Sequence, residues 1–394
     1  MKWLLAGVMM MLALPSLAKE GDTFRPFVSY TRYYDSNLFR LSEAEIAGAS
    51  QAFSETTDQY GVLSAGLNVD WQPGRQRVLA SASLSQTRYS RYSSQDNDGY
   101  DYQLRWNWLL GNHWSGQVGA TNTQSQSSYS DVSVGFVPNE VTRNRQFASA
   151  NWLFHPRWQI GLNVDQADVA NSAPAQLVSD YEDQGMGATM TYITPKGSRL
   201  SGQLRKVEAE YPNRTLGLID NSYSQTEYNF LGDWRSTGKL TARGRLGYVQ
   251  RDYPVVSARS YAGWNGRVSA DYSASGKTLF NLAVYREIGN SDDTNATYSL
   301  NTGTSLGAAW LVTDKITLRA NGSFENRDYQ GDPGVVIVGT TRNEDTLSGT
   351  LSVSYMPVRM ATIDLGLQAG SRDSNISVND YSFHSVFVSF RADF

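Results

Sequence analysis

Hydrophobic and polar residues alternate one by one along much of this chain. Residues 63–71 place leucine, alanine, valine and tryptophan on one face and serine, glycine, asparagine and aspartate on the other. Residues 240–248 and 316–325 repeat the pattern. A period of two residues is typical of strands that have one apolar and one polar face. The alternation predicts an all-β fold, although soluble sandwiches and membrane barrels share it.

Short turn signals interrupt the alternation about every forty residues. They are rich in glycine and proline and lie at residues 72–75, 110–113, 155–157, 195–197, 237–239, 275–277, 313–315 and 356–358. Longer polar connections, such as 35–57, 127–141 and 330–341, separate the hairpins. Eight hairpins, one strand before them (24–34) and one after them (381–394) give eighteen strands. Merging or splitting one weak hairpin would give sixteen or twenty.

Tryptophan is concentrated beside the short turns, always on the apolar face of its strand. The residues concerned are Trp71, Trp108, Trp114, Trp152, Trp158, Trp234 and Trp310. A row of indoles at one end of the strands is typical of the aromatic girdle of a membrane barrel and has no purpose in a soluble sandwich. We therefore predict a transmembrane, antiparallel, up-and-down β-barrel with periplasmic termini, in the outer membrane of a Gram-negative bacterium.

The first eighteen residues have the pattern of a signal peptide. Lys2 precedes an apolar run over 3–14, and small residues lead up to Ala18. The run is too short to cross a membrane as a helix. We predict cleavage after Ala18 and a barrel domain over 19–394. The sequence has no cysteine, which excludes disulfides and a lipid anchor, and its net charge of −4 does not suggest a nucleic-acid partner.

The polar faces, projected inward, predict a hydrated lumen, because barrels of sixteen to eighteen strands can leave an aqueous channel. Arginines on these faces are our candidates for solute contact: Arg105, Arg205, Arg243, Arg245, Arg267 and Arg319. Carboxylates on the same faces are Asp70, Asp165, Glu227, Asp233, Asp271 and Asp364. We expect the loop over 35–57 to fold inward as a constriction, with a short helix within 42–52.

Two interpretations of the arginines stay open. The strands of Arg243 and Arg319, which we expect to be adjacent, would form a basic strip suited to an anionic solute. Alternatively, the arginines pair with the inward carboxylates and hold the wall together.

Signals for catalysis are weak. His113 and His155 lie in predicted turns, and His384 is expected to point inward with Ser382 but has no evident acid partner. No cluster of cysteine or histidine suggests a transition metal, so we expect neither a metal nor a cofactor. The sequence predicts a channel rather than an enzyme.

The last strand ends in Phe394, and Phe390 shares its face. This pattern resembles the C-terminal signal that the barrel-assembly machinery recognises. We expect Phe390 and Phe394 to act in assembly. The expected partners are that machinery and the lipid and lipopolysaccharide of the outer membrane.

The first strand and the following loop carry a tyrosine-rich stretch and then Asp35, Asn37, Leu38, Phe39 and Arg40. This segment resembles the opening of a family of outer-membrane β-barrel porins associated with exopolysaccharide loci, the EpsL-like type found with exosortase systems. The resemblance implies passage of an exopolysaccharide out of the periplasm, with the polysaccharide and periplasmic export components as partners. The residue types themselves predict a turn and an anchor that pins the loop to the wall.

Two other functions fit a barrel of this size. One is a general or small-solute porin. The other is an adhesive or structural barrel that acts through its extracellular loops, with Tyr89, Tyr92, Tyr100 and Tyr102 as a surface. Inward aromatic residues would favour sugar, but Phe147, Tyr285 and Phe387 are too scattered in the sequence to form a track.

Overall fold

The computed structural model describes residues 23–48, 55–129, 137–214, 220–255, 257–290, 296–331 and 341–394. The predicted signal peptide lies outside the described residues. The described residues form eighteen β-strands and one α-helix, α1 (Glu43–Gly48). The strands are β1 (Phe24–Asp35), β2 (Asp58–Trp71), β3 (Arg77–Tyr89), β4 (Asn97–Leu110), β5 (Trp114–Gln126), β6 (Glu140–His155), β7 (Trp158–Asn171), β8 (Tyr181–Ile193), β9 (Arg199–Glu210), β10 (Tyr223–Thr237), β11 (Leu240–Asp252), β12 (Tyr261–Ser275), β13 (Thr278–Asn290), β14 (Tyr298–Leu311), β15 (Ile316–Gln330), β16 (Asn343–Val358), β17 (Ala361–Ser374) and β18 (Tyr381–Asp393). Four 3-10 turns lie in the connections, at Ser93–Gln95, Pro174–Ser179, Ser257–Arg259 and Ser377–Asn379.

Each strand pairs with its neighbour in the chain, and the sheet closes on itself. All pairings are antiparallel, and β18 pairs with β1 from Phe27↔Asp393 to Asp35↔Ser385. Closure joins the two edges of the sheet, which is what a spanning structure needs in lipid. The predicted architecture and the count of eighteen strands are confirmed, and the counts of sixteen and twenty are wrong. No helix in the described ranges is long and apolar enough to cross a membrane.

Short turns lie at the end of the barrel that also holds β1's start and β18's end. Gly74, Gly111 and Gly197 take positive φ there (65°, 58° and 81°), as tight turns require. The predicted turn at 356–358 is misplaced, because β16 continues to Val358 and the turn follows it. Pro357 lies instead at a register shift between Tyr355 and Val358, where its missing N–H breaks no ladder bond.

The outer wall carries the predicted apolar face. Side chains such as Leu246 (57 % exposed) and Leu351 (60 % exposed) point away from the lumen and face lipid. The tryptophans beside the short turns lie on this wall, and Trp114 stacks on Trp152 with ring centroids 5.7 Å apart. Exposed Tyr102 and Trp264 lie nearer the other end. Such belts hold a barrel at the two membrane interfaces.

Candidate functional site: the lumen

Inward side chains lie on rungs, by which we mean the residues that face one another across successive strand pairs. One rung runs from Arg245 through Arg267, Tyr285 and Gly303 to Glu325 on five successive strands. Because the strands of a barrel tilt by about 35–45°, a rung climbs the wall obliquely. Inward residues that are far apart in sequence therefore become neighbours along these oblique lines.

All six candidate arginines lie on the inward face, and four of them contact carboxylates. Arg205 on β9 reaches Asp165 on β7 at 2.9 Å and Glu227 on β10 at 3.2 Å. The Arg205 side chain passes over Gly185 on β8 to reach Asp165. A Cβ at position 185 would lie only 2.6 Å from the guanidinium, so a larger residue there would block this path. Two carboxylates thus neutralise one cation within the wall.

The other three paired arginines lie on β11 and β12. Arg243 contacts Asp271 at 3.3 Å. Arg245 and Arg267 face each other across the strand pair and share Glu287, which accepts a 2.6 Å hydrogen bond from Arg267. These contacts correspond to the wall-holding interpretation. The expected adjacency of the Arg243 and Arg319 strands is wrong, because β12, β13 and β14 lie between β11 and β15.

Arg105 and Arg319 differ from the other four. Within the described ranges, neither has a carboxylate within 4 Å. Arg319 donates to the hydroxyl of Ser354, which donates in turn to Asp364. The guanidinium of Arg105 lies 6.0 Å from the ring centre of Phe147. These two exposed side chains are therefore the inward candidates whose charge no direct ion pair compensates.

Several inward rings lie over a glycine of the neighbouring strand. A Cβ on Gly303 would meet the Tyr285 ring at 2.5 Å, and a Cβ on Gly119 would meet the Phe147 ring at 2.4 Å. The same relation joins further pairs: Phe27 with Gly66, Phe383 with Gly370, and Phe387 with Gly366. Because no side chain stands between ring and backbone, these rings lie against the wall instead of projecting across the lumen.

Arginine covers most of these rings from the lumen side. The guanidinium carbon lies 4.3 Å from the ring centre for Arg267 over Tyr285, 4.0 Å for Arg391 over Phe27 and 3.6 Å for Arg40 over Phe383. Attraction between a cation and a ring fixes the guanidinium against the wall. The result is a stack of glycine, aromatic ring and arginine.

A continuous row of rings occupies one rung on β18, β1, β2 and β3. Phe387 faces Tyr33, Tyr33 faces Tyr60, and Tyr60 faces Tyr89. Their ring centres are 5.7, 4.8 and 5.1 Å apart in that order. We call these four residues the aromatic track. It rises from the middle of β18 to the extracellular end of β3, so inward aromatic residues that are scattered in the sequence do form a row.

The loop after β1 is anchored by the residues that carry the family resemblance. Asp35 accepts two hydrogen bonds from Arg40, both at 2.8 Å, and one from the backbone N–H of Asn37 at 2.9 Å. The Asn37 amide donates to the carbonyls of Leu41 and Ser382. Phe39 is buried against Tyr92 and Tyr129, with ring centres 4.7 and 4.9 Å away.

The expected helix follows this anchor as α1. Ser42 and Glu45 cap it reciprocally, through Glu45 N–H to Ser42 Oγ and Ser42 N–H to a Glu45 carboxylate oxygen. The described part of the loop contacts the extracellular ends of β1 and β18. The constriction expected within 35–57 stays a prediction. Burial raises the pKa of Tyr129 to about 12, which keeps this rim phenol neutral.

A second buried region lies at another part of the extracellular end, and the sequence did not reveal it. Its members come from the extracellular ends of β9 to β14 and the loops between them: Ala209, Tyr211, Tyr223, Tyr253, Tyr298 and Leu300. The pairing of β12 with β13 ends at Gly266↔Arg286, so the end of β13 pairs with β14 but not with β12. Asn290 at that end accepts hydrogen bonds from the inward Tyr223 (3.0 Å) and Arg251 (3.2 Å).

Two sequence-based placements are wrong. His384 lies on the outer face, with its ring 6.5 Å from that of Tyr34, because Phe387 on the same strand points inward and alternation then turns His384 outward. The four tyrosines expected on one adhesive surface separate, since Tyr89 faces the lumen whereas Tyr100 and Tyr102 stack on the outer wall. The described ranges hold no group of three acidic or histidine side chains placed to bind a metal.

Comparison with known proteins supports a porin-like barrel. A family model described as "Putative beta-barrel porin 2" matches residues 234–394, less than half of the chain. A search of curated proteins found no matching sequence.

Solved structures with a similar fold have low sequence identity to the chain. OccK2 (OpdF) from Pseudomonas aeruginosa gives a TM-score of 0.52 at 9% identity, covering 94% of this chain and 98% of that one. A BenF-like porin from Pseudomonas fluorescens Pf-5 gives 0.50 at 9% identity, covering 95% and 99%. OccK2 in complex with glucuronate also gives 0.50 at 9% identity, covering 94% and 98%. The chain is an outer-membrane β-barrel of a Gram-negative bacterium, with a fold similar to that of these porins.

Proposed function

We propose that this outer-membrane barrel is a passive diffusion channel for small hydrophilic solutes. The observation that carries the proposal is the contrast between its two walls. The outer wall is an apolar band between aromatic belts, whereas the inner wall carries hydroxyl, amide and charged groups along its length. Eighteen strands give a cylinder wide enough to hold water between such walls.

The charges of the inner wall favour weak ion selectivity. Arg205, Arg243, Arg245 and Arg267 contact four carboxylates between them, so this group adds little net charge to the lumen. Arg105 and Arg319 keep their charge exposed. We therefore expect these two residues to shift the selectivity of the channel towards anions.

The test is conductance of the purified barrel in a planar bilayer, with ion selectivity read from the reversal potential across a salt gradient. We expect stable open channels. Replacing Arg105 and Arg319 together by Gln should move selectivity towards cations. The matched control, Arg243→Gln with Asp271→Asn, removes one cation and one anion and should leave selectivity unchanged. Absence of channels, together with failure of liposomes to swell in small sugars such as glucuronate, would refute the proposal.

Export of an exopolysaccharide has less support than diffusion of small solutes. It rests on the resemblance of the segment containing Asp35, Asn37, Leu38, Phe39 and Arg40, and all five contact each other or the rim. The structure thus gives these residues a structural use that needs no polymer. OccK2, to which the fold is similar, was solved with glucuronate, a single sugar acid, which also favours small solutes. The test is deletion of the gene. If the deletion strain carries a normal amount of surface polymer, the result argues against export.

A further inference from the structure

The aromatic track differs from the other inward rings in what covers it. Phe27, Phe147, Tyr285 and Phe383 each have a guanidinium within about 6 Å of the ring centre. Within the described ranges, no guanidinium lies over a ring of the track. Its four rings are half-buried and contact one another instead. The track is therefore an apolar strip that faces the water of the lumen.

Hydrogen-bonding groups border this strip on both sides. Towards the periplasm the next inward residues are Ser389, Thr31, Val62 and Thr87. Towards the extracellular end Ser385 is buried, and half-buried Gln368 on β17 is the hydrogen-bonding group that reaches the lumen. Each border lies two residues along the strand, about 7 Å from the track. Ser389 and Thr31 hydrogen-bond each other at 2.8 Å, which holds that border in place. The apolar strip on this side of the lumen is therefore flanked by hydroxyl groups towards the periplasm, interrupted by Val62, and by the amide of Gln368 towards the extracellular end.

The strip continues to the extracellular surface. Tyr89, its last member, neighbours Tyr129, and Tyr129 contacts Phe39 at a centroid distance of 4.9 Å. Phe39 in turn contacts Tyr92 in the next loop. Ring contacts therefore run from the middle of the wall to the rim, where Phe39 itself is buried.

We infer that the aromatic track binds pyranose sugars, and that short oligosaccharides are preferred solutes of this channel. This rests on the proposed diffusion function and names its solute class. A pyranose has apolar C–H faces and a rim of hydroxyls, so it places carbon against aromatic rings and hydroxyls against polar borders. Its uncharged ring needs no counter-ion, in keeping with a strip from which guanidinium groups are absent within the described ranges. A flat aromatic solute could stack on the rings, but it would form no hydrogen bonds with the polar groups beside the track.

The experiment measures binding of maltohexaose to the full-length mature barrel in detergent by titration calorimetry. The test variant replaces Tyr33 and Tyr60 by Leu, which keeps apolar volume and removes two rings. We expect Kd to rise about tenfold, since aromatic contacts of this kind each contribute a fraction of that energy. A second variant with Phe at both positions keeps the rings and should bind like the wild type. Phe147→Leu, which removes a ring beneath Arg105, is the matched control.

Three results would overturn the inference. They are no binding of maltohexaose, equal binding by the leucine variant, and an equal loss in the Phe147→Leu control. Binding no tighter than that of a polyethylene glycol of comparable mass would also overturn it. Conductance of the same preparation separates this inference from the proposed function. Sugar binding without conductance refutes the channel and leaves the site, whereas conductance without sugar binding refutes the site alone.

Discussion

The ion pair between Asp35 and Arg40 offers a quantitative test of how the first extracellular loop is held. The Asp35 carboxylate is almost fully buried and accepts three hydrogen bonds, two of them from Arg40. Asp35→Asn keeps the shape of the side chain but leaves a guanidinium without its charge partner. Breaking a buried pair in this way costs about 3–5 kcal/mol. Because the Arg40 side chain is 18% exposed, we take the lower value, about 3 kcal/mol.

Backbone conformation adds to the effect. Arg40 has a φ of 56°, a left-handed conformation that is uncommon for a residue other than glycine. Its contacts hold it there, so the loop gains freedom when they weaken. A loss of about 3 kcal/mol raises the equilibrium constant for local opening roughly a hundredfold.

Limited trypsin digestion measures this opening. Arg40 is the only lysine or arginine within residues 36–57, so cleavage there gives a defined fragment. When reclosing is faster than cleavage, the cleavage rate follows the population of the open loop. We expect Asp35→Asn to be cut after Arg40 roughly a hundred times faster than the wild type.

The control is Asp98→Asn, which breaks an exposed pair. Asp98 is 64% exposed and accepts from Arg88 at 2.7 Å. Exposed pairs contribute about 0–1 kcal/mol, so cleavage after Arg40 should change less than about fivefold. Equal cleavage rates for Asp35→Asn and the wild type would refute the anchoring role. Equal acceleration by both variants would show that the effect is not local.

Three further predictions concern the wall and its assembly. Gly303→Ala should lower the free energy of unfolding in urea by about 1–3 kcal/mol, because the new Cβ would meet the Tyr285 ring at 2.5 Å. The control Gly349→Ala should leave it unchanged, because its Cβ would meet nothing within 3.5 Å. Glu344→Gln should cost about 3 kcal/mol in the same assay, since Glu344 is 2% exposed between two arginines, and a loss below 1 kcal/mol would contradict this. Deleting Phe394 should reduce the folded, heat-modifiable barrel in outer-membrane fractions, and an unchanged amount would dismiss its role in assembly.

Strand number and face were predictable because they depend on local signals. Alternation assigns each residue of a strand to one face, and the tryptophan row shows which face meets lipid. The wrong placement of His384 shows that the assignment of faces depends on an exact register. A shift of one residue moves every side chain of a strand to the opposite face. Pro357 shows the same for turns, because a bulge can hold a proline before the chain reverses.

Lumen contacts were not predictable, because they depend on register across several strands. Arg205 finds Asp165 two strands away only because Gly185 between them leaves space. The four rings of the aromatic track lie on both sides of the β1–β18 closure, where the two termini of the barrel meet. One signal was readable: an inward glycine opposite an inward aromatic residue across a hairpin, as with Gly303 and Tyr285, marks a ring that lies on the wall.

Because the rungs run obliquely around the wall, the lumen has a defined handedness. All strands are built from L-residues and tilt in the same sense, so the aromatic track winds about the barrel axis in one direction. A sugar that follows it rotates as it descends. Mirror-image sugars have the same size and charge, but on a path with a fixed sense of rotation they present their hydroxyls to different borders. The barrel would therefore pass enantiomers at different rates, a form of selectivity that neither pore width nor charge provides.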